Sequence, residues 1–189
     1  MGKVVASFTM SLDGYIAGPN VGDEHPMGEG GEQLHEWIFD KASDVDRQMA
    51  DEIHARVGAV VLGRRTFDLG LPHWNDTPFP VPSFVVTHER REPLPMRSAA
   101  FTFINEGVGI AVAQARDAAE HRDVVVMGAS IAQQLLGAGL VDELLLQIAP
   151  VLLGQGSRLF DNIQKRQTAL KNTSVIASPH VTHVRYEVL

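Results

Sequence analysis

Two glycine turns contain the residues of this chain that are best suited to binding a charged ligand. The first, Gly63–Thr66, reads Gly-Arg-Arg-Thr and follows the apolar run Val60–Leu62. The second, Gly128–Ser130, reads Gly-Ala-Ser and follows Val124–Met127. Where a strand ends in glycine and a helix begins, backbone N–H groups and the positive end of the helix dipole converge on an anion. Arginine and hydroxyl groups also bind phosphate, so the two turns predict a site for the two ends of a dinucleotide.

The composition is that of an ordinary globular chain and excludes several kinds of site. A net charge of −7 over 189 residues disfavours non-specific binding to nucleic acid or to a membrane surface, so we expect neither partner. The chain has no cysteine, which excludes disulfides, thiolate metal sites and cysteine nucleophiles. A strand is predicted from Val4, which leaves no room for a signal peptide, and no apolar run approaches the roughly 18 residues of a membrane span. We therefore expect a cytoplasmic protein of one domain.

Short apolar runs alternate with helical patterns along most of the chain. Strands are predicted at Val4–Thr9, Ala59–Leu62, Ser83–Thr87, Phe101–Ile104, Val124–Met127, Asp142–Leu153, Thr168–Ala177 and His180–Val188. Helices are predicted at Ser43–Arg56, after Gly63, at Val108–Glu120 and at Ser130–Leu136, with a proline-rich loop at Pro72–Pro82. This order predicts a single α/β domain with a mixed, mostly parallel eight-stranded sheet flanked by helices. The last two strands form a C-terminal antiparallel pair that turns at Ser178-Pro179.

Two segments before the first glycine turn have a more specific interpretation. The helix predicted over Ser43–Arg56 has Ser43 as its cap and an apolar face formed by Val45, Met49, Ile53 and Val57. The glycine-rich segment Ser11–Gly31 is long for a loop within a compact domain, which is typical of an active-site lid. We expect this loop to be mobile without ligand and to close over a cofactor, with Asp13 anchoring its near end.

Three motifs in this order resemble the dihydrofolate reductase-like superfamily, and most of all its branch that contains the reductase domain of riboflavin biosynthesis. The first is Met10–Gly18, which reads Met-Ser-Leu-Asp-Gly-Tyr-Ile-Ala-Gly and is fairly specific to that branch. The second is Gly63–Phe67, and the third is Met127–Ser130 followed by Leu135–Gly154. The resemblance covers nearly the whole chain and is typical of a small stand-alone member.

The resemblance implies NADPH as the hydride donor and gives individual residues a part in binding it. The residues implied beside the nicotinamide ring are Thr9, Ile16 and Ala17. Those implied at the pyrophosphate and the adenosine phosphates are Gly63, Arg64, Arg65, Thr66, Thr87 and His88. Those implied to wrap the pyrophosphate at a helix start are Gly128, Ala129, Ser130 and Ile131.

Each of these features also has a simpler interpretation. Gly63 and Gly128 are also compatible with plain turns, and the arginines with a solvated surface pair. Their joint occurrence, in order and at strand ends, favours cofactor binding. A standard Rossmann site is disfavoured because no Gly-x-Gly-x-x-Gly follows the first strand. We expect no metal site: position 39 after His35-Glu36 is Phe, and His180 and His183 face opposite sides of a predicted strand.

The substrate end is less well defined than the cofactor end. In dihydrofolate reductases, a carboxylate on the first helix binds the pterin and assists its protonation. The corresponding helix here contains Asp44, Asp46, Asp51 and Glu52, and the spacing to Gly63 favours Asp46. The alternative is that these carboxylates lie on a solvated face. Asp46 and Asp13, at the mouth of the long loop, are the two catalytic candidates.

The resemblance therefore predicts an NADPH-dependent reductase acting on a small-molecule substrate. The best-defined candidate activity is reduction of 5-amino-6-(5-phosphoribosylamino)uracil, as in riboflavin biosynthesis. Reduction of dihydrofolate, another pterin or another small molecule is an alternative, and a non-catalytic NADP(H)-binding module is an alternative of another class. Members of this family commonly pair through strands like Leu144–Leu153 and the closing pair, so we also expect a homodimer.

Overall fold

The computed structural model describes residues 2–163 and 167–189. The strands are β1 (Val4–Ser11), β2 (Tyr15–Ala17), β3 (Val57–Gly63), β4 (Ser83–Val86), β5 (Leu94–Pro95), β6 (Ala100–Ile104), β7 (Asp123–Met127), β8 (Glu143–Ala149), β9 (Ser157–Arg158), β10 (Leu170–Ala177) and β11 (Thr182–Val188). The helices are α1 (Glu36–Phe39), α2 (Asp44–Arg56), α3 (Arg64–Trp74), α4 (Val108–Ala119) and α5 (Ala129–Gly137), with a 3-10 helix at Gly31–His35. No helix in this part of the chain is long and apolar enough to cross a membrane.

The chain is divided into two compact units. The first contains the chain up to Ala6 together with Arg56–Asp142, and the second contains Ser7–Ala55 together with the chain from Glu143. Strand β1 contributes residues 4–6 to the first unit and residues 7–11 to the second. The main sheet has nine strands among the described residues, one more than predicted, because the two-residue strand β5 pairs with β6. Strands β2 and β9 form a separate pair.

In the first unit, parallel strands bring the two glycine turns to the same edge of the sheet. The strand order is β1-β7-β3-β4-β6-β5, and all neighbours are parallel except β5 and β6. Leu62 of β3 lies opposite Met127 of β7, and Gly63 lies opposite Val86 of β4. Because parallel strands end at a common edge, the residues that follow β3, β4 and β7 are neighbours.

Small side chains let helix α4 pack closely against this sheet. The helix buries Ala111, Val112, Ala115 and Ala119. A Cβ atom added at Gly58 of β3 would lie 2.9 Å from the Cβ of Ala119, so the strand requires glycine at this position. Val108, at the start of the helix, is only partly buried. This packing fixes the strands from which the two glycine turns emerge.

In the second unit, the strand order is β10-β11-β8-β1, and the predicted C-terminal antiparallel pair is confirmed. Strands β10 and β11 are antiparallel, as are β11 and β8. The N–H of Ser178 donates to the carbonyl of Val181 at 2.9 Å, and the N–H of Val181 donates to the Ser178 hydroxyl at 3.2 Å. These bonds close the predicted turn at Ser178-Pro179.

Two predicted element bounds differ from the structure by more than two residues. Strand β8 ends at Ala149 rather than at Leu153, because Pro150 follows and lacks the N–H that would continue the ladder. Helix α3 continues through Pro72 to Trp74, where a loop was predicted. The Trp74 ring stacks on Phe101 with a centroid distance of 6.3 Å, so tertiary packing supports a last helical turn that proline disfavours.

Helix α2 begins as predicted but buries a different face. The Ser43 hydroxyl accepts from the N–H of Asp46 at 3.3 Å, and Asp46 Oδ2 accepts from the N–H of Ser43 at 2.9 Å. This reciprocal pattern resembles a capping box, and it confirms Ser43 as the cap. The predicted apolar face is wrong at Val45, which is exposed, whereas Asp46 is completely buried. The interpretation of Asp46 as a solvated surface carboxylate is therefore also wrong.

Candidate functional site

The two glycine turns of the first unit are in direct contact. A Cβ atom added at Gly128 would lie 2.5 Å from Thr66 Oγ1, and one added at Gly63 would lie 3.2 Å from Ile131 Cγ1. Gly128 also has a φ of 91°, which L side chains rarely adopt. Gly128 thus needs to be glycine, and a Cβ atom at Gly63 would press on the Ile131 side chain. The structure brings together the residues that the sequence predicted to hold a pyrophosphate.

Both helices that start at these turns present uncapped N–H groups. The N-cap positions of α3 and α5 are Gly63 and Gly128, which have no side chain to accept from the first helical turn. Helix starts leave four backbone N–H groups without intrahelical partners. The hydroxyls of Thr66 and Ser130 lie in the same first turns, and Ser130 Oγ accepts from Gln134 Nε2 at 3.2 Å. This donor set of N–H and hydroxyl groups fits an anion such as a pyrophosphate.

Arg64 is the most strongly paired of the predicted phosphate ligands. Its Nε donates to both carboxylate oxygens of Asp68 at 2.8 Å, and its Nη1 donates to Glu89 Oε2 at 2.6 Å. The hydrogen bond to Asp68 and then that to Glu89 raise the pKa of Arg64 above its usual value. Two carboxylates therefore compete with any phosphate for this guanidinium, which the sequence did not reveal.

The other residues predicted at the adenosine phosphates lie on the same edge. Thr87 follows β4, is buried and donates its N–H to the carbonyl of Ile104 at 3.0 Å. Its hydroxyl accepts from the N–H of Glu89 at 3.2 Å, which fixes the start of the following loop. His88 and Arg65 are exposed. The exposed side chains of this group are thus cationic or neutral, and the buried one shapes the backbone.

Asp13, in the second unit, fastens the long loop. Its Oδ1 accepts from the N–H of Leu153 at 3.1 Å, and its Oδ2 accepts from the N–H of Gly154 at 2.8 Å. The Ser11 hydroxyl bond, followed by these N–H bonds, lowers the pKa of Asp13 despite some desolvation. A carboxylate held in its charged form by several donors is poorly suited to donate a proton. Asp13 therefore anchors the near end of the loop, as expected from the sequence.

The loop that Asp13 anchors is more regular than the sequence predicted. Strand β2 lies within it, and Tyr15 pairs with Arg158 and Ala17 with Ser157 of β9. The predicted nicotinamide neighbours Ile16 and Ala17 are partly exposed on this strand. The Tyr15 hydroxyl also donates to the carbonyl of Gly154 at 3.1 Å. These bonds tie the loop to the segment after β8.

The third predicted nicotinamide neighbour, Thr9, contacts a tryptophan. Thr9 lies on β1 with 9% of its surface exposed. The indole Nε1 of Trp37 donates to Thr9 Oγ1 at 3.2 Å. Trp37 itself is buried, and its ring meets the His183 ring edge-on with a centroid distance of 5.2 Å. No local pattern in the sequence predicts this contact, because the partner of an indole N–H is set by tertiary packing.

Asp46 is the centre of a buried polar cluster in the second unit. His183 Nε2 donates to Asp46 Oδ1 at 2.8 Å, and the Ser43 hydroxyl donates to Asp46 Oδ2 at 2.7 Å. Burial alone would raise the pKa of Asp46, but these hydrogen bonds outweigh it and lower the pKa from 3.8 to about 2. With a completely buried carboxylate, Asp46 has no surface on which to contact a substrate.

The sequence analysis missed the role of His183. It placed His180 and His183 on opposite sides of one strand, but β11 begins at Thr182, so His180 lies exposed in the preceding turn while His183 is buried against Asp46. The sequence contained a signal for the Asp46 side of this pair alone: Ser43 lies three residues before Asp46, a spacing that predicts a helix cap. No cluster of three or more potential metal ligands occurs in residues 2–163 and 167–189.

Comparisons with known proteins agree with this geometry. A model of the RibD C-terminal domain family matches residues 2–184 and so spans both units. The uncharacterized protein YyaP of Bacillus subtilis is 25% identical over 185 residues, which are 93% of this chain and 90% of YyaP. A pyrimidine reductase-like protein of Corynebacterium diphtheriae superposes with a TM-score of 0.67 and 14% identity over 100% of this chain and 92% of its own. A dihydrofolate reductase of Enterococcus faecalis complexed with NADP(H) superposes with a TM-score of 0.59 and 14% identity, over 99% of this chain and 96% of its own. These likenesses confirm the predicted fold.

Proposed function

The chain belongs to the RibD C-terminal domain family, and on this basis we propose that it is an NADPH-dependent reductase of a small heterocyclic substrate. The substrate that the family resemblance defines best is 5-amino-6-(5-phosphoribosylamino)uracil. The observation that carries the proposal is the contact between the turns at Gly63 and Gly128, which gathers uncapped helix N–H groups and two hydroxyls. This donor set matches a pyrophosphate bridging two nucleotides.

The residues proposed to bind NADPH form two sets. In the first unit, Gly63–Thr66 and Gly128–Ile131 hold the pyrophosphate, while Arg65, Thr87 and His88 lie where the adenosine phosphate is expected. Arg64 joins them when it releases Asp68 or Glu89. In the second unit, Thr9, Ile16 and Ala17 lie beside the nicotinamide ring. NADPH supplies the hydride when bound, and the protein binds and orients the cofactor and the substrate and excludes water from them.

We assign positioning rather than proton transfer to the two candidate carboxylates. Asp13 accepts two backbone N–H groups, and its pKa lies below the usual value. Asp46 is completely buried, and its pKa of about 2 keeps it charged at neutral pH. A general acid needs a pKa near the working pH and a path to the substrate, and neither group has both. Their contacts instead fix the loop after β1 and the start of helix α2.

The first test compares NADPH with NADH. A charge-assisted contact with the 2′-phosphate contributes about 1.5–3 kcal/mol, so NADPH should bind about tenfold more tightly or better. Fluorescence titration of both cofactors measures this ratio. Equal affinities would remove the 2′-phosphate assignment, and no binding of either cofactor would remove the proposed function.

The second test concerns the contact between the two glycine turns. Gly128→Val places a branched side chain against Thr66 Oγ1 and should abolish NADPH binding. Gly109→Val is the matched control, because a Cβ atom at Gly109 meets nothing within 4 Å.

A third test separates an enzyme from a non-catalytic binding module. Oxidation of NADPH by the wild-type protein is followed with the ribosylaminouracil substrate and with dihydrofolate. Steady turnover with one substrate identifies an enzyme, whereas binding without any turnover supports the module.

A further inference from the structure

Thr9 and Trp37 are two buried residues of the second unit that are joined by a side-chain hydrogen bond. The indole Nε1 of Trp37 donates to Thr9 Oγ1 at 3.2 Å, and both side chains have less than a tenth of their surface exposed. Within residues 2–163 and 167–189, this is the one hydrogen bond that the Thr9 side chain makes. Thr9 lies on β1, at a position that the family resemblance implies to adjoin the nicotinamide ring, and Trp37 lies in α1.

The indole determines which part of the Thr9 hydroxyl remains available. A tryptophan N–H can only donate, whereas a hydroxyl has one proton to donate and two lone pairs to accept with. Because Trp37 donates, Thr9 Oγ1 must accept, and the hydroxyl proton is left without an acceptor among the described residues. A buried donor without a partner is costly, so an acceptor supplied by a ligand is favoured at this point.

The buried polar cluster around Asp46 holds Trp37 in place. His183 Nε2 donates to Asp46 Oδ1 at 2.8 Å, and this bond fixes the imidazole ring. The Trp37 ring meets that imidazole edge-on at an interplanar angle of 83°. Asp46 is in turn fixed by the N–H and the hydroxyl of Ser43. A chain of oriented groups therefore runs from the start of helix α2 to the Thr9 hydroxyl.

We propose that Trp37, held by His183 and Asp46, orients the Thr9 hydroxyl to donate to a carbonyl oxygen of the bound ligand. That oxygen belongs either to the carboxamide of the nicotinamide or to the heterocyclic substrate, since both present an amide-like carbonyl. Thr9 contacts the ligand, while Trp37, His183 and Asp46 are positioning residues. This inference rests on the proposed function, because it places a nicotinamide or its substrate beside β1.

The first readout concerns the protein without ligand. The chain has two tryptophans, so 15N-labelled protein gives two indole N–H signals, and Trp37→Phe identifies the one from Trp37. This signal should exchange slowly with solvent in the wild type and in Thr9→Ser, which retains the acceptor. In Thr9→Val it should shift and exchange faster, while the Trp74 signal remains unchanged. Equal exchange in Thr9→Val and the wild type would overturn the Trp37–Thr9 bond.

The second readout is ligand affinity. Thr9→Val should weaken NADP+ binding or raise the KM of the ribosylaminouracil substrate by about three- to tenfold, which is the range of one neutral hydrogen bond. A higher dissociation constant for NADP+ identifies the carboxamide as the acceptor, and a rise confined to KM identifies the substrate carbonyl. Thr9→Ser should restore the wild-type value, and Trp37→Phe should show a smaller loss. Thr102→Val in β6 makes the same chemical change outside the site and is the control.

The outcomes distinguish this inference from the proposed function. If Thr9→Val binds NADP+ and turns over like the wild type while Gly128→Val abolishes binding, the inference is overturned and the reductase proposal stands. If the wild type binds no nicotinamide cofactor, the proposed function fails and the inference fails with it. Cooperative unfolding of each variant is checked first, and Thr9→Ala replaces Thr9→Val if the latter does not fold.

Discussion

At the scale of single residues, Arg64 is already paired with two carboxylates that compete with a phosphate. The sequence presents Arg64 and Arg65 as equivalent neighbours after Gly63. In the structure, Arg64 forms ion pairs with Asp68 one helical turn away and with Glu89 on the loop after β4. Exposed ion pairs of this kind contribute little to stability, so they can be exchanged for a phosphate at small cost. Glu89 is the more exposed of the two carboxylates.

This competition leads to a prediction for Glu89→Gln. Removing the carboxylate frees one side of Arg64, and NADPH should then bind about two- to fivefold more tightly, while NADH binding stays unchanged. Parallel titrations of both cofactors measure the effect. Glu92→Gln, which removes an exposed charge three residues away, is the control for general electrostatics. An equal gain in both variants would show that Arg64 is not a phosphate ligand.

The buried carboxylate Asp46 makes the stability of this protein sensitive to acid. The folded-state pKa is lowered to about 2, so the stabilising contribution of Asp46 is fully present above about pH 4 and is lost as the pH falls towards 2. Asp46→Asn removes the charged acceptor of the His183 hydrogen bond and should lower the free energy of unfolding by roughly 1.5–3 kcal/mol. Chemical denaturation between pH 2 and pH 7 measures both effects.

The control for this prediction lies on the same helix. Asp44 is exposed in the first turn of α2 and pairs with Arg47. Asp44→Asn should change the unfolding free energy by less than about 1 kcal/mol. If Asp46→Asn behaves in the same way, or keeps the full pH dependence below pH 4, the buried pair does not stabilise the fold as argued.

At the scale of elements, the segment Ser11–Gly31 contains a tethered part and a tip. Residues 14–18 are tied to residues 154–159 by the β2–β9 pair and by the bond from the N–H of Leu159 to the carbonyl of Gly14 at 3.1 Å. Beyond them, Gly18 packs so closely on Glu29 that a Cβ atom would lie 2.0 Å from the Glu29 carbonyl oxygen. Gly18 and Gly28 are thus required for close backbone packing, whereas a Cβ atom added at Gly22 would meet nothing closer than 3.9 Å.

We therefore expect the predicted lid motion only at the tip of this segment. Residues 14–18 should exchange their amide protons slowly without ligand, whereas the turn at Val21–Pro26 should become protected only when NADPH binds. Hydrogen exchange with and without saturating NADPH measures both parts. Protection of residues 14–18 that appears only with NADPH would favour a lid that includes the whole segment. Unchanged exchange at the tip would contradict closure.

At the scale of the whole molecule, we propose a homodimer that forms through β10 rather than through β8. Leu144–Leu146 of β8 are buried within the second unit and are not available to a partner. Strand β10 pairs with β11 alone among the described strands, and Leu170 and Val175 on it are exposed. An exposed apolar edge strand favours pairing with a second chain.

Light scattering should therefore give twice the chain mass of 20.6 kDa for the wild type. Val175→Glu should convert the dimer to a monomer, because it places a charge on the edge strand. Ile110→Glu changes an exposed apolar residue of α4 in the same way and should leave the dimer intact. A wild-type mass of one chain, or a dimer that survives Val175→Glu, would contradict pairing through β10.

The sequence alone determined the fold class, the positions of the main strands along the chain and the two glycine turns. These features follow from local causes: apolar periodicity selects strands and helices, and glycine at a strand end marks a turn. The cap at Ser43 was predictable for the same reason, since the bonds that form it span three residues. The resemblance to a reductase family also rested on such contiguous motifs.

Only the tertiary structure decided which side chains meet. Asp46 and His183 are 137 positions apart in the chain, Trp37 and Thr9 are 28 apart, and Arg64 and Glu89 are 25 apart. No local pattern encodes these pairs, because each depends on how separate elements pack. The same packing buried Asp46 and extended α3 past Pro72. It also tied residues 14–18 to residues 154–159, within a segment whose length and glycine content predicted a mobile loop. Burial and long-range hydrogen bonding thus determine the chemistry of the individual side chains that the sequence could only place on elements.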